Sequence, residues 1–225
     1  MGHSQATEAY HRPRVILNAA MTLDGKIATT SGDSRISSNA DLRRVHKLRS
    51  EVDAIIVGIG TLISDNPRLT VRRVNGTNPF RVVVDSLART PPTSRIFASK
   101  DGKTIVAVSR KAPNMRVKRL EERGAKIVRC GSPRVDLRAL LARLHSMGVE
   151  RVLLEGGGKL NWSMLANHLV DEIRITVAPL IVGGEKATTL AEGVGVSKMS
   201  EAIKLSLRDV ERRRNELVLN YGVAE

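Results

Sequence analysis

Runs of apolar residues of the length of a β-strand recur along the chain, and segments with helical periodicity lie between them. The first run is RVILNAAMT, which begins at Arg14, and later runs are AIIVG, RVVVD, TIVAV and RVLLE. Continuous valine- and isoleucine-rich runs of this length are typical of strands buried in a parallel sheet. After Ser38, a suitable N-cap, Leu42, Val45 and Leu48 recur at helical spacing. This alternation predicts an α/β fold.

The C-terminal part of the chain has a different pattern. Before it, VDLRALLARLHSMG and GKLNWSMLANHL read as amphipathic helices on either side of RVLLE, the first ending at Gly148. From residue 172 onward, apolar and polar residues alternate, first in EIRITV and again in the segments that flank RRRN. Such alternation predicts half-exposed antiparallel strands. The expected architecture is a mixed, mostly parallel sheet flanked by helices, with antiparallel C-terminal strands.

The chain shows no repeat, low-complexity segment or linker, so residues 13–225 are predicted to form a single domain and residues 1–12 a disordered tail. No apolar run approaches the roughly 20 residues that cross a bilayer, and the N-terminal segment lacks the apolar centre of a signal peptide. We therefore expect a soluble, cytoplasmic protein that does not bind membranes.

Cysteine and histidine usage excludes several kinds of site. Cys130 is the only cysteine, which rules out a disulfide within the chain and any multi-cysteine zinc site. The five histidines show no metal-ligand spacing, and His46, His145 and His168 are expected at the surface or in a groove. No metal is predicted.

The net charge of +14 at neutral pH indicates anionic partners. Basic residues are spread along the chain, with one cluster at RRR before Asn215, and aromatic residues are only 2% of the sequence. Few side chains are therefore available to stack on bases, which argues against nucleic acid. Phosphorylated small molecules fit the charge better, although a basic surface also arises for solubility alone.

Three predicted strands end in small or acidic residues. They run into the segment from Gly58 to Thr61, into Asp85 and Ser86, and into Glu155 with the glycines 156–158. Ligands of parallel α/β sheets bind beyond the carboxyl ends of the strands, where glycine admits a phosphate to the backbone. Neither glycine segment matches the dinucleotide fingerprint or the Walker A loop. Tight turns without a ligand remain an alternative at each strand end.

Several segments occur together in an order that resembles a known family. They are MTLDGKIATTSGDSRISS, VGIGTLISDNPRLTVR, NPFRVVVDS and LLEGGGKLNWSML followed by LVDEIRITVAPLIVGG. Over about residues 13–223 the chain resembles the pyrimidine reductases of riboflavin biosynthesis, especially the stand-alone archaeal and fungal type. The resemblance implies a dihydrofolate-reductase-like fold and a homodimer. It also implies NADPH as the cofactor in preference to NADH, although members of the family accept both cofactors to differing degrees.

The reaction implied by the resemblance reduces 2,5-diamino-6-ribosylamino-4(3H)-pyrimidinone 5′-phosphate to the ribitylamino compound, by hydride transfer to C1′ of the ribose. The cofactor contacts implied by the matching positions are Met21, Thr61, Asp65, Val84, Asp85, Ser86, Gly156, Gly157, Gly158 and Lys159. The substrate contacts implied in the same way are Asp33, Ser34, Arg49, Leu69, Arg72 and Glu155. Within this set we expect Arg49 and Arg72 to bind the 5′-phosphate and Glu155 the amino groups of the pyrimidine.

The chain departs from the bacterial fused enzymes at Asn18, where those enzymes have a lysine in the first strand. An asparagine amide does not act as an acid, so Asp33 or an ordered water is left as the proton donor. The zinc signature of the fused deaminase is also missing, which favours the order of steps in which reduction precedes deamination. The alternatives are a reductase of the same fold that acts on the deaminated pyrimidine or a pterin, and a nucleotide-binding regulator without turnover.

Overall fold

A computed structural model describes residues 11–99 and 101–224 of the chain. Nine strands and five α-helices alternate along most of it. The strands are β1 (Arg14–Thr22), β2 (Ala54–Gly58), β3 (Phe80–Val84), β4 (Thr104–Val108), β5 (Lys126–Arg129), β6 (Arg151–Leu154), β7 (Glu172–Ala178), β8 (Leu205–Arg213) and β9 (Glu216–Val223). The helices are α1 (Asn39–Ser50), α2 (Ile59–Asp65), α3 (Asn114–Glu121), α4 (Leu137–His145) and α5 (Gly158–Ala166). Every strand and helix read from the sequence is present.

All nine strands form one sheet in the order β5-β4-β3-β2-β6-β1-β7-β9-β8. Neighbours are parallel from β5 to β7, whereas β9 is antiparallel to both β7 and β8. This confirms the α/β class and the mixed sheet. The prediction for β7 was only half right, because this strand pairs parallel with β1 on one side and antiparallel with β9 on the other. Its alternating pattern has another cause: Thr176, one of its polar residues, is buried in a polar network beneath α1.

The sheet is covered by helices on both faces. One apolar cluster joins the sheet to α4 and α5, and a second joins its other face to α1, α2 and α3. Sequence reading missed α2 and α3. The first has only seven residues and begins inside the segment read as a glycine turn, with Gly58 as its N-cap. The second carries two buried apolar residues, Val117 and Leu120, among exposed charged ones.

Local signals at the ends of the elements are confirmed for α1 and β5. The Ser38 hydroxyl accepts a hydrogen bond from the backbone N–H of Asp41, as its N-cap role predicts. Cys130 directly follows β5 and is buried, and burial raises the pKa of its thiol. Such a thiol is a poor nucleophile.

The predicted N-terminal tail lies largely outside the described residues, but Arg12 can be placed. Its guanidinium donates two hydrogen bonds of 2.7 Å to the carboxylate of Asp171, and the boundary at residue 13 stays a prediction. None of the helices within residues 11–99 and 101–224 has the length and apolar character needed to cross a membrane.

Candidate active site

The three strand ends singled out in the sequence lie side by side. β3, β2 and β6 are consecutive in the sheet, and all three run in the same direction. The backbone N–H of Gly58, at the end of β2, donates a 2.8 Å hydrogen bond to the carbonyl of Gly156, just beyond β6. The carboxyl edge of the sheet therefore gathers small residues from separate parts of the chain into one cleft, as expected for a parallel α/β sheet.

The glycine run has two distinct functions in the structure. Gly157 is the N-cap of α5, and a Cβ atom at this position would lie 3.0 Å from the hydroxyl oxygen of Thr61. The Thr61 hydroxyl can therefore approach this closely only because residue 157 has no side chain. Gly158 instead packs against the loop after β7, where a Cβ atom would lie 2.5 Å from the carbonyl oxygen of Thr189. Packing against the protein itself requires glycine at 158, while at 157 the neighbour is a single hydroxyl at the N-terminus of α5.

The other cofactor candidates lie around the same edge. Asp65, at the end of α2, accepts a 2.9 Å hydrogen bond from the hydroxyl of Ser34, so a predicted cofactor residue touches a predicted substrate residue. Met21 and Val84 are half-buried near the ends of β1 and β3, and Lys159 is exposed on α5. These candidates thus lie near the carboxyl ends of β1 and β3 and on the helices that follow β2 and β6, and their contact with a cofactor stays a prediction.

Asp85 and Ser86 contribute differently from what their residue types suggested. Asp85 is fully buried, and one of its carboxylate oxygens accepts hydrogen bonds from the backbone N–H and the hydroxyl of Thr90, at 2.7 and 2.9 Å. Its side chain holds the turn after β3, and its backbone N–H is used as well, in a 2.9 Å hydrogen bond to the carbonyl of Ala107. A direct contact of Asp85 with a ligand therefore has no support in this geometry. The hydroxyl of Ser86 accepts from the backbone N–H of Val135 and keeps its own proton to donate.

The substrate candidates Arg49 and Glu155 are bound to each other. The guanidinium of Arg49 donates hydrogen bonds of 2.8 and 2.7 Å to the two carboxylate oxygens of Glu155, and both side chains are about nine-tenths buried. The predicted division of roles, phosphate for Arg49 and pyrimidine for Glu155, is therefore incomplete. Arg49 uses one full side of its guanidinium on Glu155, and its remaining nitrogen, Nη1, faces the carbonyl of Thr70 at 3.4 Å.

Arg72 is held at its backbone and is surrounded by other cations. Its backbone N–H donates a 3.0 Å hydrogen bond to Nδ1 of His46, and its guanidinium donates one of 2.6 Å to the hydroxyl of Thr70. Burial and the charges of several nearby arginines lower its pKa; these are Arg49, Arg68, Arg95 and Arg73. Such a concentration of positive charge favours a multiply charged anion. The neighbouring Leu69 is buried in the left-handed region, with φ 51°.

His46 is a correction to the sequence analysis, because it is buried and not at the surface or in a groove. Only 3% of its surface is exposed. Burial, and then the nearby charges of Arg49 and Arg72, lower its pKa from 6.5 to about 4. The ring is therefore neutral at physiological pH, and its Nδ1 is free to accept the hydrogen bond from Arg72.

Asp33 does not suit the role of proton donor. Arg35 donates hydrogen bonds to both of its carboxylate oxygens through Nε and Nη2, and this contact holds the pKa of Asp33 at about 2. At neutral pH the carboxylate carries no proton to give, which argues against Asp33 as the acid, and its catalytic role stays a prediction. The spacing of two residues between Asp33 and Arg35 was visible in the sequence and is the signal that predicts the pairing.

A closed polar network beneath α1 was missed by the sequence analysis. Arg44 donates from Nε to Asp41 at 2.8 Å, and from Nη2 to the amide oxygen of Asn18 at 2.9 Å and to the hydroxyl of Thr176 at 3.1 Å. Thr176 in turn donates to Asp41 at 2.7 Å. Only the spacing of Asp41 and Arg44, three residues apart on a helix, was available as a sequence signal.

Metal binding has no support in the part of the chain that the structure describes, where no group of histidine, cysteine, aspartate and glutamate side chains is arranged to hold an ion.

Comparison with known proteins identifies close relatives. The family model of the RibD C-terminal domain matches residues 13–219. The chain is 55% identical to 2,5-diamino-6-ribosylamino-4(3H)-pyrimidinone 5′-phosphate reductase of Methanothermobacter thermautotrophicus, over 94% of this chain and 99% of that protein.

Solved structures agree on the fold. RibD of Acinetobacter baumannii superposes with a TM-score of 0.81 and 26% identity, over 95% of this chain and 58% of the longer RibD chain. Dihydrofolate reductase of Enterococcus faecalis superposes with a TM-score of 0.54 at 11% identity, over 94% of this chain and 97% of that one, which bears on the fold alone. The dihydrofolate-reductase-like fold implied by the sequence is thereby confirmed.

Proposed function

Since the chain belongs to the RibD C-terminal domain family and catalyses the pyrimidine reductase step of riboflavin biosynthesis, we propose that its substrate is 2,5-diamino-6-ribosylamino-4(3H)-pyrimidinone 5′-phosphate. The observation that carries this proposal is the 55% identity to a protein of that name over nearly the full length of both chains. The product is the ribitylamino compound, formed when C1′ of the ribose is reduced.

A reductase of this pathway implies a nicotinamide cofactor, and we propose NADPH. When bound, the cofactor supplies the hydride. The glycine run fits such a group, because Gly157 is the N-cap of α5, where backbone N–H groups and the helix dipole favour a phosphate, and it lacks a side chain that would crowd the Thr61 hydroxyl. Arg89 and Arg110 are exposed beyond β3 and β4 and offer cations to a 2′-phosphate.

Substrate binding is proposed for the face of the sheet beneath α1. Arg49 fixes the orientation of Glu155, whose carboxylate oxygens can accept further hydrogen bonds from the amino groups of a pyrimidine. Arg72 lies in the field of four other arginines and is the residue best placed to bind the 5′-phosphate. These groups hold the substrate in position, and positioning is the protein's main contribution to a hydride transfer.

We also propose a homodimer, formed through the hairpin of β8 and β9. Pairing across this hairpin places Leu205, Leu207, Val210 and Leu217 on one face of the sheet, and each is more than 40% exposed. Exposed apolar side chains grouped on a terminal hairpin are typical of a surface that another protein covers. A second copy of the chain is the partner that the family resemblance implies.

The function is tested with the purified chain, the diamino substrate and NADPH, by following the loss of NADPH absorbance and identifying the product by mass spectrometry. The expected result is stoichiometric oxidation of NADPH with formation of the ribitylamino product. The deaminated pyrimidine phosphate and a dihydropterin serve as parallel substrates. Faster turnover of either of these than of the diamino compound would assign a different reductase activity to the chain.

A further inference from the structure

A groove of about 680 Å³ runs along β5, at the end of the sheet opposite the hairpin of β8 and β9. It is lined by the whole of β5, by the segment that follows this strand, and by Ala139 and Arg143, four residues apart on α4. β5 pairs with β4 alone, so its other edge has no strand partner within the part of the chain that the structure describes. Reduction of a pyrimidine in the cleft gives this groove no role.

The groove lies against the open edge of β5 and not under one face of the sheet. Val128 belongs to the apolar cluster beneath α4, whereas Ile127 packs against the cluster on the opposite face. Arg129 also belongs to that opposite face, because its Nη2 donates a 2.9 Å hydrogen bond to the side-chain oxygen of Asn114 at the start of α3. Successive side chains of a strand point to opposite faces, so a cavity that touches both sets is at the edge between them.

The backbone at this edge presents groups that can pair with another strand. The N–H of Cys130, just beyond β5, donates a 2.9 Å hydrogen bond to the carbonyl of Val108 on β4. Backbone groups of successive residues point alternately to the two edges of a strand, so the N–H and C=O of Ile127 and Arg129 point away from β4. Such a row of unpaired donors and acceptors is a template for a strand from another chain.

The charges around the groove determine which strand could bind there. Four cations line it, and they are Arg110, Lys126, Arg129 and Arg143. The one carboxylate in the lining, that of Asp136, already accepts a 3.0 Å hydrogen bond from the backbone N–H of Ala139 as the N-cap of α4. Lys126 and Arg143 have no hydrogen-bond or ion-pair partner within the described residues. Like charges opposite one another destabilise a strand pair, so the same edge of a second copy is a poor partner and an acidic strand is a good one.

We propose that the edge of β5 binds an extended acidic segment of another protein, which adds to the sheet as a further strand. Main-chain hydrogen bonds to Ile127 and Arg129 supply affinity, and the cations select a segment with carboxylates. The apolar surface of the groove, which includes Ile127 and Ala139, takes small apolar side chains that alternate with those carboxylates. No aromatic side chain lines the groove, so it has no platform for the bases of a nucleic acid. The inference does not depend on the proposed function.

The test is the binding of a fluorescein-labelled peptide to the full chain, measured by fluorescence anisotropy. The peptide has about six residues, the usual length of a strand, in which glutamate and valine alternate. Two control peptides are compared with it: one has glutamine for glutamate, and the other carries N-methyl groups on all its backbone nitrogens, which blocks strand pairing. Each control is expected to bind at least about tenfold more weakly. The acidic peptide should also slow hydrogen exchange at the amides of Ile127 and Arg129, followed by NMR, whereas attraction to the charges alone would not.

Arg143→Glu is expected to weaken binding of the acidic peptide at least about tenfold, because it replaces a cation of the groove with an anion. The matched control is Lys118→Glu, which makes the same change of charge at an exposed position of α3 outside the groove. It should bind the peptide as the parent does, and both variants should keep the thermal midpoint of the parent. Equal binding of either control peptide, or an unchanged Kd in Arg143→Glu, would show that the charges only protect the edge from aggregation, and would overturn the proposal. A single-stranded oligonucleotide that protects the same two amides more strongly than the peptide would overturn it in favour of nucleic acid.

Discussion

The buried histidine beneath Arg72 makes the stability of the protein sensitive to mild acid. His46 is neutral in the folded state because burial and the charges of Arg49 and Arg72 hold its pKa at about 4. In the unfolded chain the same imidazole titrates near its ordinary value of 6.5. Above that value both states are neutral and the histidine has no effect on the pH dependence. As the pH falls below 6.5, the imidazole is protonated in the unfolded chain but not in the folded state, so folding becomes less favourable.

The size of the effect follows from the two pKa values. Their difference corresponds to about 3 kcal/mol once the pH reaches about 4, at about 1.4 kcal/mol per pH unit. By pH 5 the loss is already about 2 kcal/mol, which is a large share of the roughly 5–15 kcal/mol that stabilises a typical domain. Protonation of Nδ1 also removes the acceptor for the backbone N–H of Arg72, so the segment that carries Arg72 should loosen in the same pH range.

The measurement is the free energy of unfolding in urea between about pH 7.5 and pH 5, for the parent and for His46→Asn. An asparagine places an oxygen near the position of Nδ1 and does not titrate, so the variant keeps an acceptor for Arg72. A cavity lowers its stability by a constant amount, and the other titrating groups contribute equally to both proteins. The difference between the two curves should shrink by about 2 kcal/mol toward pH 5. Parallel curves would show that His46 titrates normally and that the argument from burial is wrong.

Three further predictions concern the cleft and the hairpin. Gly157→Val should weaken NADPH binding at least about tenfold, or about 1.4 kcal/mol. The control Gly60→Ala, where a Cβ atom meets nothing within 4 Å, should bind NADPH normally. If a folded Gly157→Val variant also binds NADPH normally, the glycine at 157 serves only the geometry of the turn. Arg72→Ala should lower kcat/KM for the phosphorylated substrate by roughly tenfold to a hundredfold, and Arg72→Lys by less. An equal loss on the dephosphorylated analogue would remove Arg72 from the phosphate site. Leu207→Asp should give a monomer in sedimentation velocity, and an unchanged mass would place the dimer surface elsewhere.

The sequence predicted the sheet well because its signals are local. Valine-rich runs bounded by turns identify buried strands, and alternation identified the hairpin of β8 and β9. Alternation was misleading only for β7, whose polar residues include Thr176, buried in the network under α1. A pattern of polar and apolar letters does not distinguish a residue facing water from one facing a buried partner.

The contacts between the candidate site residues could not be predicted from the sequence. Resemblance named Arg49 and Glu155 separately, and only the structure brings them together from positions 106 residues apart. Asn18 was recognised as a departure from a lysine pattern, but the cation that now lies beside it, Arg44, comes from another element. His46 was assigned to a surface or groove because burial of a single polar residue leaves no periodic signal. These are contacts between distant segments, which no local pattern encodes.

The position of β1 in the sheet governs when the site can form. Its neighbours are β6 and β7, and its register pairs Arg14 with Arg151 and Ile16 with Glu172. Both partner strands of β1 therefore lie more than half of the chain further along the sequence. Contacts between such distant segments carry a high loop-closure cost and slow the folding of a domain. On the ribosome, residues 54–129 can pair β2, β3, β4 and β5 among themselves, whereas Asn18 and Glu155 meet only after β6 has emerged. The parts of the cleft built on β2 and β3 should therefore form first during synthesis, and the parts that need β6, which are the glycine run and Glu155, should form last.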